Sequence, residues 1–364
     1  MRLTRLKVTG WRNLASAELT AEARFVVLHG DNAQGKTNLL EAVYVLATLR
    51  SFREHRPQRL IQHGLPAAAV EGDVRGVSGL RRLEWRYAKD GGRSLKLDGS
   101  PPTALRDWFS PIRAILFCPE HLTIVRGGPE ERRGFIDRAR FTARPAYLEL
   151  VRNYRRALKQ KGALLRGNRS PRDAELDAWD DRLAELGARM ATQRLEIVDQ
   201  LRAPFQEMVA QIAGNEKVDL QMRGLGIPGV TEGSLRERLQ RARTEERRRR
   251  MILVGPHRDD MAILLGGRPA RRYASQGQAR SIVLALKLAE LEAARRRQEA
   301  PLFLLDDLTS ELDARRRERL VRLLSGMQSQ VWITTTDPSY LGPLPADESC
   351  RWEVDSGAVR SGDN

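Results

Sequence analysis

Cysteine is almost absent. Cys118 and Cys350 are the only two in 364 residues, so neither a disulfide framework nor a cysteine-built metal site can form, and a reducing, cytoplasmic setting is expected. Long hydrophobic runs are missing too: no apolar stretch reaches the length of a membrane span. Behind the opening Met1-Arg2-Leu3-Thr4-Arg5 there is no apolar segment and no small-residue cleavage site, so neither a secretory signal nor a membrane partner is expected. Aromatic residues are scarce at 5%, which disfavours base stacking on a single strand as the main mode of nucleic-acid contact. Acid is in deficit, with 47 Asp and Glu against 63 Lys and Arg, a formal charge of +16. Such a surplus attracts polyanions through counterion release, and it equally suits a solvated, arginine-rich surface. Charge leaves both readings open. What is plentiful is core material: 41% of the residues are hydrophobic, and the length suits roughly two or three compact units.

Residues 3–8 alternate apolar and polar side chains before Gly10, which reads as an edge strand. Phe25-Val26-Val27-Leu28 is a short, wholly apolar run typical of a buried strand. Leu39, Leu40, Val43, Leu46 and Leu49 then fall at helical spacing. Short strands with glycine turns fill residues 67–97, including a hairpin at Gly91-Gly92, and residues 112–118 form another apolar strand. Residues 147–165, 174–212 and 233–250 are rich in Leu, Ala, Arg, Glu and Gln and predict helices. Together these make a helical arm of two or three antiparallel helices, residues 146–250, inserted into an α/β domain whose parts are residues 1–145 and 251–364. Strand structure is expected to resume at residues 251–254, with a hairpin at Gly266-Gly267. A long helix carrying Ile282, Val283, Leu286 and Leu288 follows, then buried strands at 302–305 and 331–334 separated by a helix at 314–324.

Gly30, Asp31, Asn32, Ala33, Gln34, Gly35, Lys36 and Thr37 match G-x-x-x-x-G-K-[ST] without a mismatch, between an expected strand and an expected helix. Glycines let the backbone curl so that successive N–H groups point at phosphate oxygens, and the helix start adds its positive end. Lys36 would reach the β- and γ-phosphates of ATP, and the Thr37 hydroxyl would take one Mg²⁺ position. The competing reading is a glycine-rich turn that binds nothing. Leu302-Phe303-Leu304-Leu305-Asp306-Asp307 is an apolar strand ending in two carboxylates. At the carboxyl edge of a sheet beside the phosphate loop, Asp306 would hold Mg²⁺ and Asp307 would orient the attacking water. Alone, the pair reads equally as helix-capping or solvated acids. Lys36, Asp306 and Asp307 are thus the candidate catalytic residues.

Thr309-Ser310-Glu311-Leu312-Asp313 resembles the D-loop of ABC-type ATPases, and Tyr273-Ala274-Ser275-Gln276-Gly277-Gln278-Ala279-Arg280 resembles their signature loop. Phosphate loop early, with signature, acidic strand and D-loop late, is the order of the split head in the SMC and Rad50-like class. Val8-Thr9-Gly10-Trp11-Arg12-Asn13-Leu14, the phosphate loop through Asn38, Ser51-Phe52-Arg53, Phe117-Cys118-Pro119-Glu120-His121-Leu122, Gly255-Pro256-His257-Arg258-Asp259-Asp260 and Ser275-Gln276-Gly277-Gln278 resemble the RecF family of bacterial recombination-repair proteins. The likeness runs from about residue 3 to residue 340.

That resemblance implies an ABC-type ATPase head with an inserted helical arm, dimerising around two ATP molecules. It implies binding to duplex and gapped DNA, partnership with RecR and RecO in loading RecA, and a role in replication maintenance and the SOS response. Ser275 and Gly277 would contact the γ-phosphate held by the opposite subunit, at a helix beginning near Gln278. Arg12 and Asn13 match positions near the base or α-phosphate. Two residues depart from the general ABC pattern. Gln276 stands where glycine is usual, and Asp307 where glutamate is usual; the shorter acid implies slow hydrolysis suited to a switch. No histidine follows the strand at 331–334, and His121 stands where relatives carry an acid. Residues 255–260 read either as a structural turn or as a nucleotide contact. Basic clusters at residues 50–59, 132–133, 247–250 and 268–272 are candidate DNA contacts when taken together, although each alone reads more readily as a solvated face than as a phosphate contact. A transporter-type ATPase subunit and a scaffold that binds ATP without hydrolysing it are the alternative functions.

Overall fold

The shortest and most apolar runs of the sequence become the strands of a mostly parallel sheet, because a strand covered on both faces needs no polar alternation. The computed structural model describes residues 1–77, 79–214, 216–226, 229–307 and 314–362. Two compact units are present: Met1–His121 with Gln211–Gly214 and Val283–Asn364, and Leu122–Ala210 with Asn215–Ile282. Among the described residues, no helix is long and apolar enough to cross a membrane.

The first unit contains a six-stranded sheet in the order Ala358–Ser361, Ser349–Asp355, Phe25–His29, Val331–Thr335, Leu302–Leu305, Ala114–Phe117. Every neighbouring pair is parallel except the hairpin at one edge, Ser349–Asp355 with Ala358–Ser361. Phe25–His29 therefore lies one strand away from Leu302–Leu305, with Val331–Thr335 between them. The helix Lys36–Thr48 buries Leu39, Leu40, Val43 and Leu46, and the Trp108 indole donates to the Leu46 carbonyl at 2.8 Å.

A five-stranded antiparallel sheet completes this unit, in the order Leu14–Thr20, Arg2–Trp11, Ala67–Gly76, Gly79–Ala88, Arg93–Leu97. The hairpin at Gly91-Gly92 forms as expected. The first strand is not at an edge, however. Arg2–Trp11 pairs with Leu14–Thr20 on one side and with Ala67–Gly76 on the other. Alternation reports that one face is buried and carries no information about how many neighbours a strand has.

In the second unit the helices Tyr147–Arg166 and Glu232–Arg249 and the part of Asp173–Ala213 up to Ala210 share a core that includes Tyr147, Leu150, Tyr154, Leu183, Met190, Leu235 and Leu239. At the same junction the fully buried Lys161 ammonium meets Asp180 and Glu246, each at 2.6 Å. Buried charges of this kind hold only as a set, since removing one partner strands the others without solvent. Residues 251–254 are not a strand, contrary to expectation. Their backbone is used by side chains instead: Leu253 N–H donates to Glu246 at 2.9 Å, and the Ile252 carbonyl accepts from Arg258 at 2.9 Å. The sheet of this unit is Val218–Arg223, Asp260–Leu265 and Arg268–Pro269, with the expected turn at Gly266-Gly267. Val218–Arg223 was not foreseen, because six residues between two long helices offer only a brief alternation.

Candidate nucleotide site

The phosphate loop leaves the carboxyl end of Phe25–His29 and enters the helix Lys36–Thr48. Both loop glycines are dictated by local geometry. Gly30 has φ 138°, and a Cβ there would stand 2.3 Å from the Val354 carbonyl oxygen of the neighbouring strand. Gly35 has φ 124°, and its Cβ would crowd Asn13 and Leu14 at 3.0 Å. Because Gly35 is the N-cap, no side chain caps the helix, and its first turn contains no acid. Its leading N–H groups suit an anion.

Lys36 folds back along the loop, its ammonium donating to the carbonyls of Gly30 at 2.7 Å and Asp31 at 2.6 Å. Burial pulls its pKa below the ordinary lysine value, against the opposing field of Asp307, Asp31 and Asp306. The next residue reaches across the sheet edge: the Thr37 hydroxyl donates to Asp306 Oδ1 at 2.8 Å. A second hydroxyl, from Thr334 on the intervening strand, donates to the same oxygen at 2.8 Å. Thr334 Oγ1 in turn accepts the Asp307 N–H at 2.8 Å. Burial raises the Asp306 pKa above the usual carboxylate value; the two hydroxyl donors oppose that rise, while Glu120 and Asp307 add to it. The same burial pushes the Cys118 thiol up.

Thr334 is the site residue that sequence reasoning missed. Its strand was foreseen, but one hydroxyl among four consecutive threonine and aspartate side chains after Ile333 carries no mark of function. Thr334→Val is expected to cost about 1–3 kcal/mol of stability, because it removes a donor from a buried carboxylate and an acceptor from the Asp307 N–H. Thr334→Ser is expected to restore it. Urea unfolding of the three proteins checks this, and a valine variant as stable as the parent would refute it.

Asp307 follows with a left-handed φ of 50° and is half-buried. The D-loop at residues 309–313 lies outside the described residues. Arg12 is fastened to the helix that follows the loop, and Asn13 to both the loop and that helix. The Arg12 guanidinium makes a bidentate pair with the buried Glu41 of the loop helix, at 2.8 and 2.7 Å, and Ser51 donates to the same carboxylate. Asn13 donates to the Gln34 carbonyl at 2.9 Å and accepts from Asn38 at 2.7 Å. Gln34 also accepts the Ser356 N–H at 2.6 Å through its side chain. These bonds tie Gln34 of the loop to the turns at Asn13 and Ser356.

Ser275, Gly277 and Gln278 belong to the second unit. The helix that begins at these residues is Gln276–Arg296, starting two residues before the expected Gln278. Ser275 and Gln278 form a reciprocal cap: Ser275 N–H donates to the Gln278 side chain at 2.8 Å, and Gln278 N–H donates to Ser275 Oγ at 3.2 Å. Ser275 and Gln276 are exposed and Gly277 is half-buried.

Residues 255–260 find their partners within the second unit. The Pro256 carbonyl accepts from Arg194 at 2.6 Å, Asp259 accepts the Leu225 N–H at 2.7 Å, and Asp260 pairs with Arg132 at 2.7 and 3.0 Å. His257 Nδ1 lies 2.8 Å from the Tyr154 hydroxyl, and burial pushes its pKa down to about 4, leaving it neutral at pH 7. Of the two readings, the structural turn is the one these contacts serve. Arg132 and Arg133, expected as DNA contacts, are committed to Asp260 and to the Asp259 carbonyl. In the 247–250 run, Arg247 holds Asp173 at 2.5 Å, while Arg248 and Arg249 share Glu245.

The model of the RecF/RecN/SMC N terminal domain matches residues 2–344. The DNA replication and repair protein RecF of Geobacter sulfurreducens is 41% identical over 367 residues, covering 99% of both chains. Its namesake from Anaeromyxobacter sp. is 40% identical over 369 residues, again covering 99% of both. A solved structure of the recombination mediator protein RecF with ATP, in the RecFOR pathway, aligns with a TM-score of 0.90 at 29% identity and covers 100% of this chain and 98% of that one. An SMC head domain from Pyrococcus furiosus shares the fold, with a TM-score of 0.60 at 16% identity, over 100% of this chain and 96% of its own. The expected α/β ABC-type head with its helical arm is thus the fold observed, and the chain belongs to the RecF family.

Proposed function

We propose that this chain is an ATP-switched recombination mediator. Two copies close around two ATP molecules, bind duplex DNA at single-strand gaps, and act with RecR and RecO to load RecA. The observation that carries this reading is the meeting of Thr37 and Asp306, 2.8 Å apart, from a phosphate loop and an acidic strand end separated by 269 positions. A hydroxyl and a carboxylate converging in this way are the hard oxygen donors that Mg²⁺ prefers. When bound, Mg²⁺ would neutralise charge on the β- and γ-phosphate oxygens.

In this reading Lys36 leaves the Gly30 and Asp31 carbonyls for the β- and γ-phosphates, and the curled backbone from Gly30 to Gly35 supplies N–H donors. Asp307 orients water, and its short side chain makes hydrolysis slow. Arg12 and Asn13 set the loop that faces the nucleotide. Ser275, Gly277 and Gln278 of a second subunit complete each site, so ATP serves as the glue of a homodimer. The arm at residues 146–250 is carried as an insert in the head, and the protein works in the cytoplasm. Support for assembly comes from the exposure of Ser275 and Gln276 at a capped helix start.

Light scattering with and without Mg²⁺ and ATP tests the reading, with gapped-duplex binding measured on the same samples. The mass is expected to double with nucleotide and DNA affinity to rise with it. Binding is also expected to weaken by orders of magnitude between about 50 and 200 mM salt. A monomer at saturating ATP, or DNA affinity indifferent to nucleotide, would remove the switch.

A further inference from the structure

Arg132 and most of the 247–250 run are paired with acids, whereas one face of the helix Tyr147–Arg166 is not. In Tyr147–Arg166 the buried positions are Tyr147, Leu150, Val151, Tyr154, Ala157, Lys161, Gly162 and Leu165. The opposite face exposes Arg152, Arg155, Arg156, Lys159 and Arg166. These stand at i, i+3, i+4, i+7 and i+14, a single stripe on a 3.6-residue helix. From residue 150 to residue 166 there is no Asp or Glu, and the exposed Glu149 stands at the start of the stripe. Among the described residues no carboxylate pairs with any of the five. The helix Glu232–Arg249 shows the contrast: six of its seven arginines, Arg236, Arg241, Arg243, Arg247, Arg248 and Arg249, pair with acids.

A row of like charges at helical spacing repels itself and lowers the stability of the helix that carries it. A polyanion laid along the row reverses that sign. At about 1.5 Å per residue, positions 152 to 166 span about 21 Å, the axial length of about six phosphates on one strand of a duplex. Arginine supplies most of the stripe, and its planar fork matches phosphate oxygens. The face offers no aromatic side chain, since Tyr147 and Tyr154 are buried. It therefore lacks both the stacking platform that a single strand needs and the aromatic anchor on which protein partners concentrate binding energy.

We infer that the exposed face of Tyr147–Arg166 is a docking surface for the phosphate backbone of duplex DNA, read through charge and without sequence preference. This rests on the proposed DNA-binding function and assigns it a surface. The test compares the full chain with the fourfold variant Arg152→Gln, Arg155→Gln, Arg156→Gln, Lys159→Gln, in Mg²⁺ and ATP on a duplex of mixed sequence. A control variant, Arg236→Gln, Arg241→Gln, Arg248→Gln, Arg249→Gln, removes the same net charge from paired positions. The stripe variant is expected to bind duplex on the order of 100-fold more weakly. The slope of log affinity against log salt should become shallower by about 3 to 4. ATP affinity should match the parent and the melting temperature should equal or exceed it, since the like-charge repulsion is relieved, and the control should stay within a few-fold of parent DNA affinity. Equal loss in both variants, or parent-like binding by the stripe variant, overturns the inference and leaves the general reading intact. Loss of binding to a polyglutamate peptide with duplex binding retained overturns it in favour of an acidic protein partner. A parent protein that binds no duplex overturns both.

Discussion

Lys36→Ala is expected to lose ATP binding, nucleotide-dependent dimerisation and gapped-duplex binding together. A charge-assisted hydrogen bond contributes about 1.5–3 kcal/mol, so ATP affinity should fall by roughly 10- to 150-fold from that contact alone. The loop loses more than the contact, because the same ammonium bridges the Gly30 and Asp31 carbonyls at 2.7 and 2.6 Å. Without it, two carbonyl groups of a tight turn lose their shared donor and the curl relaxes. Lys36→Arg separates the two effects: it keeps the charge, but its planar head fits a pocket built for a point charge poorly. An intermediate affinity is expected. Equilibrium dialysis of labelled ATP, followed by light scattering, measures both variants. ATP binding by the alanine variant at parent affinity would show that residues 30–37 are a structural turn.

Asp306→Asn should separate stability from activity in the opposite direction. The amide oxygen can still accept from Thr37 and Thr334, the two donors that meet at Oδ1 at 2.8 Å. What disappears is the negative charge, and with it the direct attraction for Mg²⁺. Turnover of ATP should fall at least about 100-fold, the size of losing one preorganised transition-state contact. Thermal stability should not fall with it. Burial already disfavours the ionised form of Asp306, raising its pKa, so a neutral side chain removes a desolvation cost. A melting temperature equal to or above that of the parent, with hydrolysis abolished, is the expected pair of results. Hydrolysis at parent rate would place the magnesium ligand elsewhere. A collapse in melting temperature would mean that the charge itself holds the three strand ends together.

The nucleotide site was legible in the sequence to the extent that its parts are local. A strand, a glycine-bearing turn and a helix follow one another within 24 residues from Phe25 to Thr48, and the chemistry of residues 30–37 follows from that order. Arg12 and Asn13 were marked by resemblance alone; what they do for the loop became visible only with Glu41, Gln34 and Asn38 beside them. Thr334 was invisible for the same reason in reverse. Its importance depends on Asp306, 28 positions away, lying on the neighbouring strand.

Residues 251–254 failed as a strand for a related reason. Ile252, Leu253 and Val254 have the composition of a strand, but their hydrogen-bonding groups were claimed by Glu246, His257 and Arg258.

By itself, the sequence determined the α/β class, the apolar strands of the parallel sheet, the phosphate loop and the family likeness. Each of these is carried by periodicity or by residues adjacent in the chain. Tertiary structure alone decided that Arg2–Trp11 is an interior strand, that Asp306 receives two hydroxyls, and which arginines meet an acidic partner. The run at 247–250 looks strongest in the sequence, yet Asp173 and Glu245 answer most of it. The stripe at Arg152, Arg155, Arg156, Lys159 and Arg166 looks scattered, yet a helix gathers it on one face, and among the described residues no carboxylate pairs with it. Local pattern gives the sign and spacing of charges, whereas the partner that cancels a charge is chosen by whichever distant segment the fold brings alongside.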